Sequence, residues 1–255
     1  MRSRVLVYHK IDDIFELSLN CIKPARFEVQ ISSLERAGKR FSTISDFKKS
    51  PVEGEVIAIS FDDAYECVYR HAYPILDRYG IPATVFVIAD YIGKKNLWDV
   101  PLSVKRERHL NKEQIHELVS RGWEIGSHTL THRCLTILGN GELKEELEIS
   151  KKRLEDLFGV EVKALSVPFG RLNQRVADAA LGVGYKIICG FFPFRLYYGR
   201  AYIGEIPRLA VYSIDSVHEV LSKVGNNKSR LFREVLKQNI INFCANGTIL
   251  VKSLG

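Results

Sequence analysis

Val56-Ile57-Ala58-Ile59-Ser60-Phe61-Asp62-Asp63-Ala64-Tyr65 opens as an apolar run rich in β-branched and aromatic residues and breaks at two adjacent carboxylates. The run reads as a strand. Similar clusters recur at Val5 to Tyr8, Ala83 to Ile88, Trp123 to Ser127, Ala164 to Val167 and Tyr185 to Cys189. Between them, apolar residues fall at helical spacing. Phe27, Ile31 and Leu34 precede Gly38, and Val68, Ile75, Leu76 and Tyr79 precede Gly80, each glycine serving as a C-terminal stop. Asn111 is placed to cap a helix carrying Ile115, Leu118 and Val119, with Gln114 completing a capping box and Gly122 ending it. The longest helix is expected from about Glu142 to Phe158, burying Leu143, Leu147, Leu154 and Phe158, with Gly159 behind it.

Strand and helix therefore alternate, the signature of a parallel sheet covered by helices. About seven strand candidates over this length favour an α/β fold of the (β/α) barrel type, incomplete against the full eight strands, over an open doubly wound sheet. Residues 1–224 are read as the barrel, Gly225 to Ser229 as a linker, and 225–255 as a C-terminal helical extension. In that extension Leu231, Phe232, Val235, Leu236 and Ile240 are expected to line one side of a helix that also carries Lys228, Arg230, Arg233 and Lys237. Such a helix can pack on the barrel, or lie on an anionic membrane or a partner.

A chain of 255 residues suits one large domain, and 46% apolar with 26% charged residues excludes a disordered or fibrous chain. No apolar run approaches the roughly 20 residues that cross a bilayer, and Met1 to Lys10 alternates like a strand instead of forming a signal core. The expectation is a cytoplasmic chain. Cys21, Cys67, Cys134, Cys189 and Cys244 are scattered without a C-x-x-C pair, and read as reduced, mostly buried thiols. The net charge of +7 comes from dispersed lysines and arginines, not from one basic block. That argues against nucleic acid and suits an anionic partner, such as a phosphate-linked sugar or a lipid headgroup at the membrane periphery.

In a parallel β/α domain the C-terminal strand ends face the loops where active sites are built, so Asp62 and Asp63 belong at the barrel mouth. A bare Asp-Asp pair also serves as a helix cap. Gly126-Ser127-His128-Thr129-Leu130-Thr131-His132 places two histidines just past another strand. On a helical turn both imidazoles would share one face and one cation. Two histidines and a carboxylate leave coordination positions open, as a catalytic metal requires. Leu165-Ser166-Val167-Pro168-Phe169-Gly170-Arg171 breaks a third strand at a turn whose backbone N–H groups could stabilise an oxyanion, although proline and glycine end strands without any such role.

Ser60-Phe61-Asp62-Asp63, His128-Thr129-Leu130-Thr131-His132 and Pro168-Phe169-Gly170 stand in the order and approximate spacing of the polysaccharide deacetylases. The chain resembles that family, the NodB-like esterases of carbohydrate esterase family 4. The likeness continues through Tyr8-His9, Tyr73-Pro74-Ile75-Leu76, Gly80-Ile81-Pro82-Ala83-Thr84, Gly122-Trp123-Glu124-Ile125-Gly126 and Gly184-Tyr185, to about Arg208. The resemblance implies metal-dependent hydrolysis of the N-acetyl amide of an amino sugar in a glycan or glycoconjugate. Asp63, His128 and His132 would hold one divalent metal, usually zinc in this family, and Asp62 would be the general base toward the activated water. The backbone N–H of Phe169 would share the oxyanion charge. A general acid must then protonate the sugar nitrogen, because an amide anion is a poor leaving group.

The sequence departs from the family pattern in four places. Ala64 stands where glycine is frequent, which is tolerable if its backbone is not left-handed. Arg133 follows His132 where proline is common. Ser166 occupies the place of an arginine that orients the catalytic aspartate, and Arg208 in Ile206-Pro207-Arg208-Leu209 is the candidate substitute. The usual C-terminal Leu-x-His is absent, the end reading Thr248-Ile249-Leu250-Val251-Lys252. Val5-Leu6-Val7-Tyr8-His9 looks like that motif moved to the N-terminus, as in circularly permuted members. First and last strands of a closed barrel are neighbours, so His9 is expected to be the general acid, a role its ordinary pKa of about 6.5 suits. Two other readings stay open: a carbohydrate-binding barrel impaired in catalysis, and an amidohydrolase acting on a small cyclic amide.

Overall fold

The six apolar runs are strands, and a seventh joins them in a parallel barrel. The computed structural model describes residues 5–14, 18–49, 56–96, 107–192, 201–225 and 227–244. In chain order the strands are β1 (Val5–Tyr8), β2 (Lys10–Ile11), β3 (Cys21–Ile22), β4 (Arg40–Ser42), β5 (Val56–Phe61), β6 (Thr84–Val87), β7 (Glu124–Ser127), β8 (Ala164–Ser166), β9 (Ile187–Phe191) and β10 (Glu205–Ala210). Neighbours run β5-β6-β7-β8-β9-β10-β1, and β1 pairs back onto β5 from Val5↔Ala58 to Tyr8↔Phe61. The barrel is therefore one strand short of eight and yet closed. β4 lies along the first half of β5, while β6 takes Ser60 and Phe61 on the second half. β2 and β3 form a separate small sheet.

Pleating sends alternate side chains to opposite faces. Leu6, Tyr8, Ile57, Ile59 and Phe61 face outward into the main core, where they meet Phe27, Ile31 and Leu34 of helix α1 (Pro24–Arg36). Val5, Ala58, Phe86, Ala164, Ile187, Cys189 and Ile206 form a second cluster inside the ring, joined by Ile44 of α2 (Ile44–Lys49), whose N–H donates to Thr84 Oγ1 (3.0 Å). Gly126 on β7 is required by packing: a Cβ there would lie 2.3 Å from the Phe86 ring. Phe86 fills that space and underlies the Arg208 guanidinium, 5.0 Å from its centroid.

The expected helix through Val68 to Tyr79 is interrupted. A π turn at Val68–Ala72 leads into α3 (Tyr73–Arg78), the widened turn coming just before Pro74, which has no N–H to continue an α-helical ladder. α4 (Lys112–Ser120) carries the capping box of Asn111 and Gln114, and α5 (Asn140–Phe158) ends at left-handed Gly159 (φ 66°). α6 (Gln174–Val183) and α7 (Val217–Val224) follow, then α8 (Lys228–Cys244). On α8 the five expected apolar residues do not share one side. Leu231 and Val235 are buried against Phe192 and Leu209, whereas Phe232, Leu236 and Ile240 are exposed. Gln238 strengthens the buried face, its Oε1 accepting from the Ala210 N–H (2.7 Å). Among the described residues no helix is long and apolar enough to cross a membrane. Cys21, Cys67, Cys134 and Cys189 are free thiols; the side chain of Cys244 and the run Thr248 to Lys252 lie outside the described residues.

Candidate active site

β1 and β5 pair up to their C-terminal ends, where the Asp62 N–H donates to the Tyr8 carbonyl (3.0 Å) and brings Asp62 beside the segment carrying His9. The next two residues leave strand geometry altogether. Asp63 has φ 67° and Ala64 φ 52°, two consecutive left-handed residues that let both carboxylates turn toward one site. Ala64 thus departs from the expectation that its backbone avoids this region. Each such non-glycine residue costs on the order of 1–2 kcal/mol, so the surrounding contacts must hold the turn.

His128 and His132 also meet, but not on a helical turn. They lie in a loop after β7 with Thr129 at φ 67° and His132 at φ 63°, their ring centroids 4.8 Å apart. Side chains replace the missing helical ladder. Ser127 Oγ accepts from the Thr129 N–H and Thr129 Oγ1 from the His132 N–H, both at 3.1 Å. Buried Glu146 of α5 accepts from the N–H groups of Leu130 and Thr131 at 3.0 Å each. Sequence reasoning missed Glu146, although a charged residue within the buried stripe Leu143, Leu147, Ser150 and Leu154 is a readable signal.

These two turns converge on three ligand atoms. Asp63 Oδ1 lies 3.4 Å from His128 Nε2 and 3.4 Å from His132 Nε2, and all three residues are buried. That separation is too long for a good hydrogen bond, and Asp63 Oδ1 has no hydrogen-bond partner among the described residues. Two donors each ~2.1 Å from one tetrahedral ion would stand roughly 3.4 Å apart, so the set fits a divalent metal. His128 is oriented for it: Nδ1 donates to the Ser166 carbonyl (2.8 Å), which leaves the Nε2 lone pair facing Asp63. Burial would raise the pKa of Asp63, but the facing His128 and His132 outweigh it and hold the carboxyl far below its ordinary value. Burial would lower that of His128; Asp62 and Asp63 reverse this and raise it. Buried Cys134, two residues past His132, contacts Thr136 and stands outside the triad. A second group of ligand-type atoms, Asp12, Cys67 and Glu107, already has the Arg70 guanidinium on its carboxylates at 3.5 and 3.2 Å.

The arginine absent from position 166 enters from β10. Arg208 Nη1 donates to Asp62 Oδ1 (2.7 Å) and Nη2 to Asp62 Oδ2 (2.8 Å), a bidentate pair. Ser166 is built into the same arrangement, its Oγ accepting from Arg208 Nη2 (2.7 Å) and lying 3.1 Å from Asp62 Oδ2, to which it donates. Burial would raise the pKa of Asp62, but Arg208 overrides it and lowers it, so this carboxyl stays ionised. β10 carries Pro207 opposite Gly190 and between two pairing neighbours, where a proline normally argues against a strand.

His9 follows β1 and is half-buried. Its Nδ1 is buried without a hydrogen-bond partner among the described residues. Burial lowers its pKa, against the pull of Asp63 and Asp62. Phe169 sits in the Pro168–Gly170 turn with φ 59°, and its ring meets the edge of His132 at 4.9 Å. Arg133, beside the site, points away to Glu142 on the surface (2.8 Å).

A closed parallel barrel thus carries at its mouth a carboxylate and two imidazoles spaced as candidate metal ligands, beside a second carboxylate held by an arginine. The polysaccharide deacetylase family profile matches residues 49–188, more than half of the chain, and the protein belongs to that family. It is 32% identical over 189 residues to the putative polysaccharide deacetylase YxkH of Bacillus subtilis, covering 72% of this chain and 62% of that protein. It is 29% identical over 191 residues to the poly-β-1,6-N-acetyl-D-glucosamine N-deacetylase of Staphylococcus aureus, covering 68% and 63%. The chain thus spans about three-fifths of the length of these curated relatives. The Streptococcus pyogenes deacetylase PplD, solved with acetate, shares the fold at a TM-score of 0.76 and 20% identity, covering 89% of this chain and 99% of that one.

Proposed function

We propose that the protein hydrolyses the N-acetyl amide of an amino sugar within a glycan, using one divalent metal, zinc before others. The reading rests on one observation: a metal-type triad of Asp63, His128 and His132 lies beside a second carboxylate, Asp62, that is held ionised by Arg208. A divalent ion held by the triad supplies a Lewis acid for the acetyl carbonyl and lowers the pKa of water. Asp62 accepts the proton of the attacking water, and Arg208 and Ser166 fix the carboxylate's plane while it does so. The backbone N–H of Phe169 donates to the developing oxyanion. His9 protonates the departing sugar nitrogen. Its Nδ1, buried without a hydrogen-bond partner among the described residues, supports that role. The substrate class follows from the family and from the Staphylococcus aureus relative, whose name specifies a β-1,6-linked N-acetylglucosamine polymer.

The test is acetate release from N-acetylglucosamine oligomers by metal-loaded protein, with and without a chelator. Asp62→Asn should lower turnover by about 10²–10⁴-fold while leaving metal content intact, since the amide keeps the size of the acid but accepts no proton. Most of the activity surviving in Asp62→Asn would reject the base assignment. No acetate from the loaded wild-type protein on any oligomer would favour a binding barrel instead.

A further inference from the structure

We infer that His109 is a positioning residue for Asp63, holding the left-handed turn that aims this carboxylate at His128 and His132; the inference rests on Asp63 being a metal ligand. The segment 107–110 runs antiparallel to the start of the turn, with Tyr65 bridged to His109. Three of its contacts close on consecutive parts of the turn. The Leu110 N–H donates to the Ala64 carbonyl (2.8 Å), the Glu66 N–H donates to the Arg108 carbonyl (2.8 Å), and His109 Nδ1 lies 2.7 Å from the Asp63 carbonyl. A carbonyl only accepts, so Nδ1 carries the proton and the imidazole donates.

Of these three contacts, the one to Asp63 is the only one made by a side chain, and it falls on a left-handed residue, φ 67°. The ring is locked for the purpose. It stacks on Tyr65 (5.1 Å, 24°) and leans on Tyr91 (5.3 Å), and the Tyr65 hydroxyl accepts from Asn96 Nδ2 (3.1 Å). His109 is buried, and its Nε2 has no hydrogen-bond partner among the described residues. An apolar side chain would fill the space without stranding a polar atom, so packing alone does not account for an imidazole here. Donation from Nδ1 does. Without it the Asp63 carbonyl is buried unsatisfied, the two left-handed residues can relax, and the carboxylate leaves its 3.4 Å register with the histidines.

Asparagine and glutamine separate this role from simple packing, because the amide nitrogen of asparagine stands near the Nδ1 position of histidine and that of glutamine near Nε2. Zn²⁺ affinity is measured by competition with a chromophoric chelator, with no substrate present, for wild type, His109→Ala, His109→Gln and His109→Asn. His109→Ala and His109→Gln should bind Zn²⁺ about 10–100-fold more weakly than wild type, and His109→Asn should stay within about threefold of it. Should the alanine variant fail to fold, the asparagine and glutamine pair carries the comparison. Wild-type affinity in every variant, or equal losses in asparagine and glutamine, overturns the positioning role while leaving the metal site standing. A wild-type protein that takes up no Zn²⁺ overturns the metal reading itself, and this role with it.

Discussion

Two clusters of charged side chains in this protein, one between two helices and one at the barrel mouth, are finished differently. Between α7 and α8, Lys237 Nζ reaches Asp215 (2.6 Å), Glu219 (2.9 Å) and Glu234 (3.0 Å), while Lys223 pairs with Asp215 (3.2 Å) and with Glu234. Each carboxylate there has an ammonium partner, and the cluster ties α7, α8 and the segment after β10 together. At the barrel mouth the Arg208 guanidinium is committed to Asp62, while Asp63 Oδ1 and His9 Nδ1 are buried with no hydrogen-bond partner among the described residues. A stranded buried polar atom costs about 1–3 kcal/mol, a cost that an ion held by Asp63 would relieve at that carboxylate. In the first, saturated cluster each of the three carboxylates has a cation within 3.0 Å.

The sharpest way to break this contrast is to remove one ligand from the unsaturated cluster. His128→Ala should abolish near-stoichiometric metal loading and lower acetate release on the order of 10⁴-fold, because it removes one of the three proposed ligands and with it the Lewis acid. Lys223→Met, in the saturated cluster, should leave metal content unchanged. Elemental analysis of the purified proteins decides it, and full loading of His128→Ala would dissolve the distinction between the two clusters.

A smaller effect is expected at His9, the other stranded atom. His9→Ala should slow release from acetamides by about 10²-fold or more, yet barely affect an activated aryl acetate, whose leaving group needs no proton. Parallel rate measurements on the two substrates check this. Equal losses on both would make His9 a structural or metal-orienting group and not the proton donor.

Most of the barrel was legible because strands such as β1 and β5 are buried along their whole length and so read as runs of apolar residues, broken in β5 only by Ser60. β10 was not, because its fully buried residues include Arg208, whose charge is balanced by Asp62 from a strand 146 residues earlier. Asp62, Asp63, His128 and His132 were visible as short motifs at strand ends. How the histidines meet was not: left-handed Thr129 and His132 are invisible in a spacing that reads equally well as a helical turn. His109 and Glu146 act on backbone groups 46 and 15 or 16 residues away, and a contact to a carbonyl or an N–H leaves no mark on the sequence of its partner. On α8 two apolar stripes were present, and only the position of Leu209 and Phe192 decides that Leu231 and Val235 are the buried one.

The smallest expected effect tests whether the saturated cluster is only structural. Burial pushes the pKa of Glu219 up, but hydrogen bonds from Lys237 and Ser216 outweigh it and bring it down from 4.5 to about 2. A carboxylate whose folded pKa is depressed adds stability that is fully present above its unfolded value, and this is lost as pH falls through the folded one. For Glu219 the window runs from about 4.5 down to about 2. Its side chain is 37% exposed, so solvent screening reduces the contribution to about 1 kcal/mol or less. Wild type should therefore be more stable to urea than Glu219→Gln at pH 6, and the gap should shrink at pH 3.5, with metal content equal in both proteins throughout. A gap that stays constant with pH would show that Lys237 does not depress this carboxyl. A loss of metal in Glu219→Gln would show that the two clusters are coupled, and that the paired one contributes to the site.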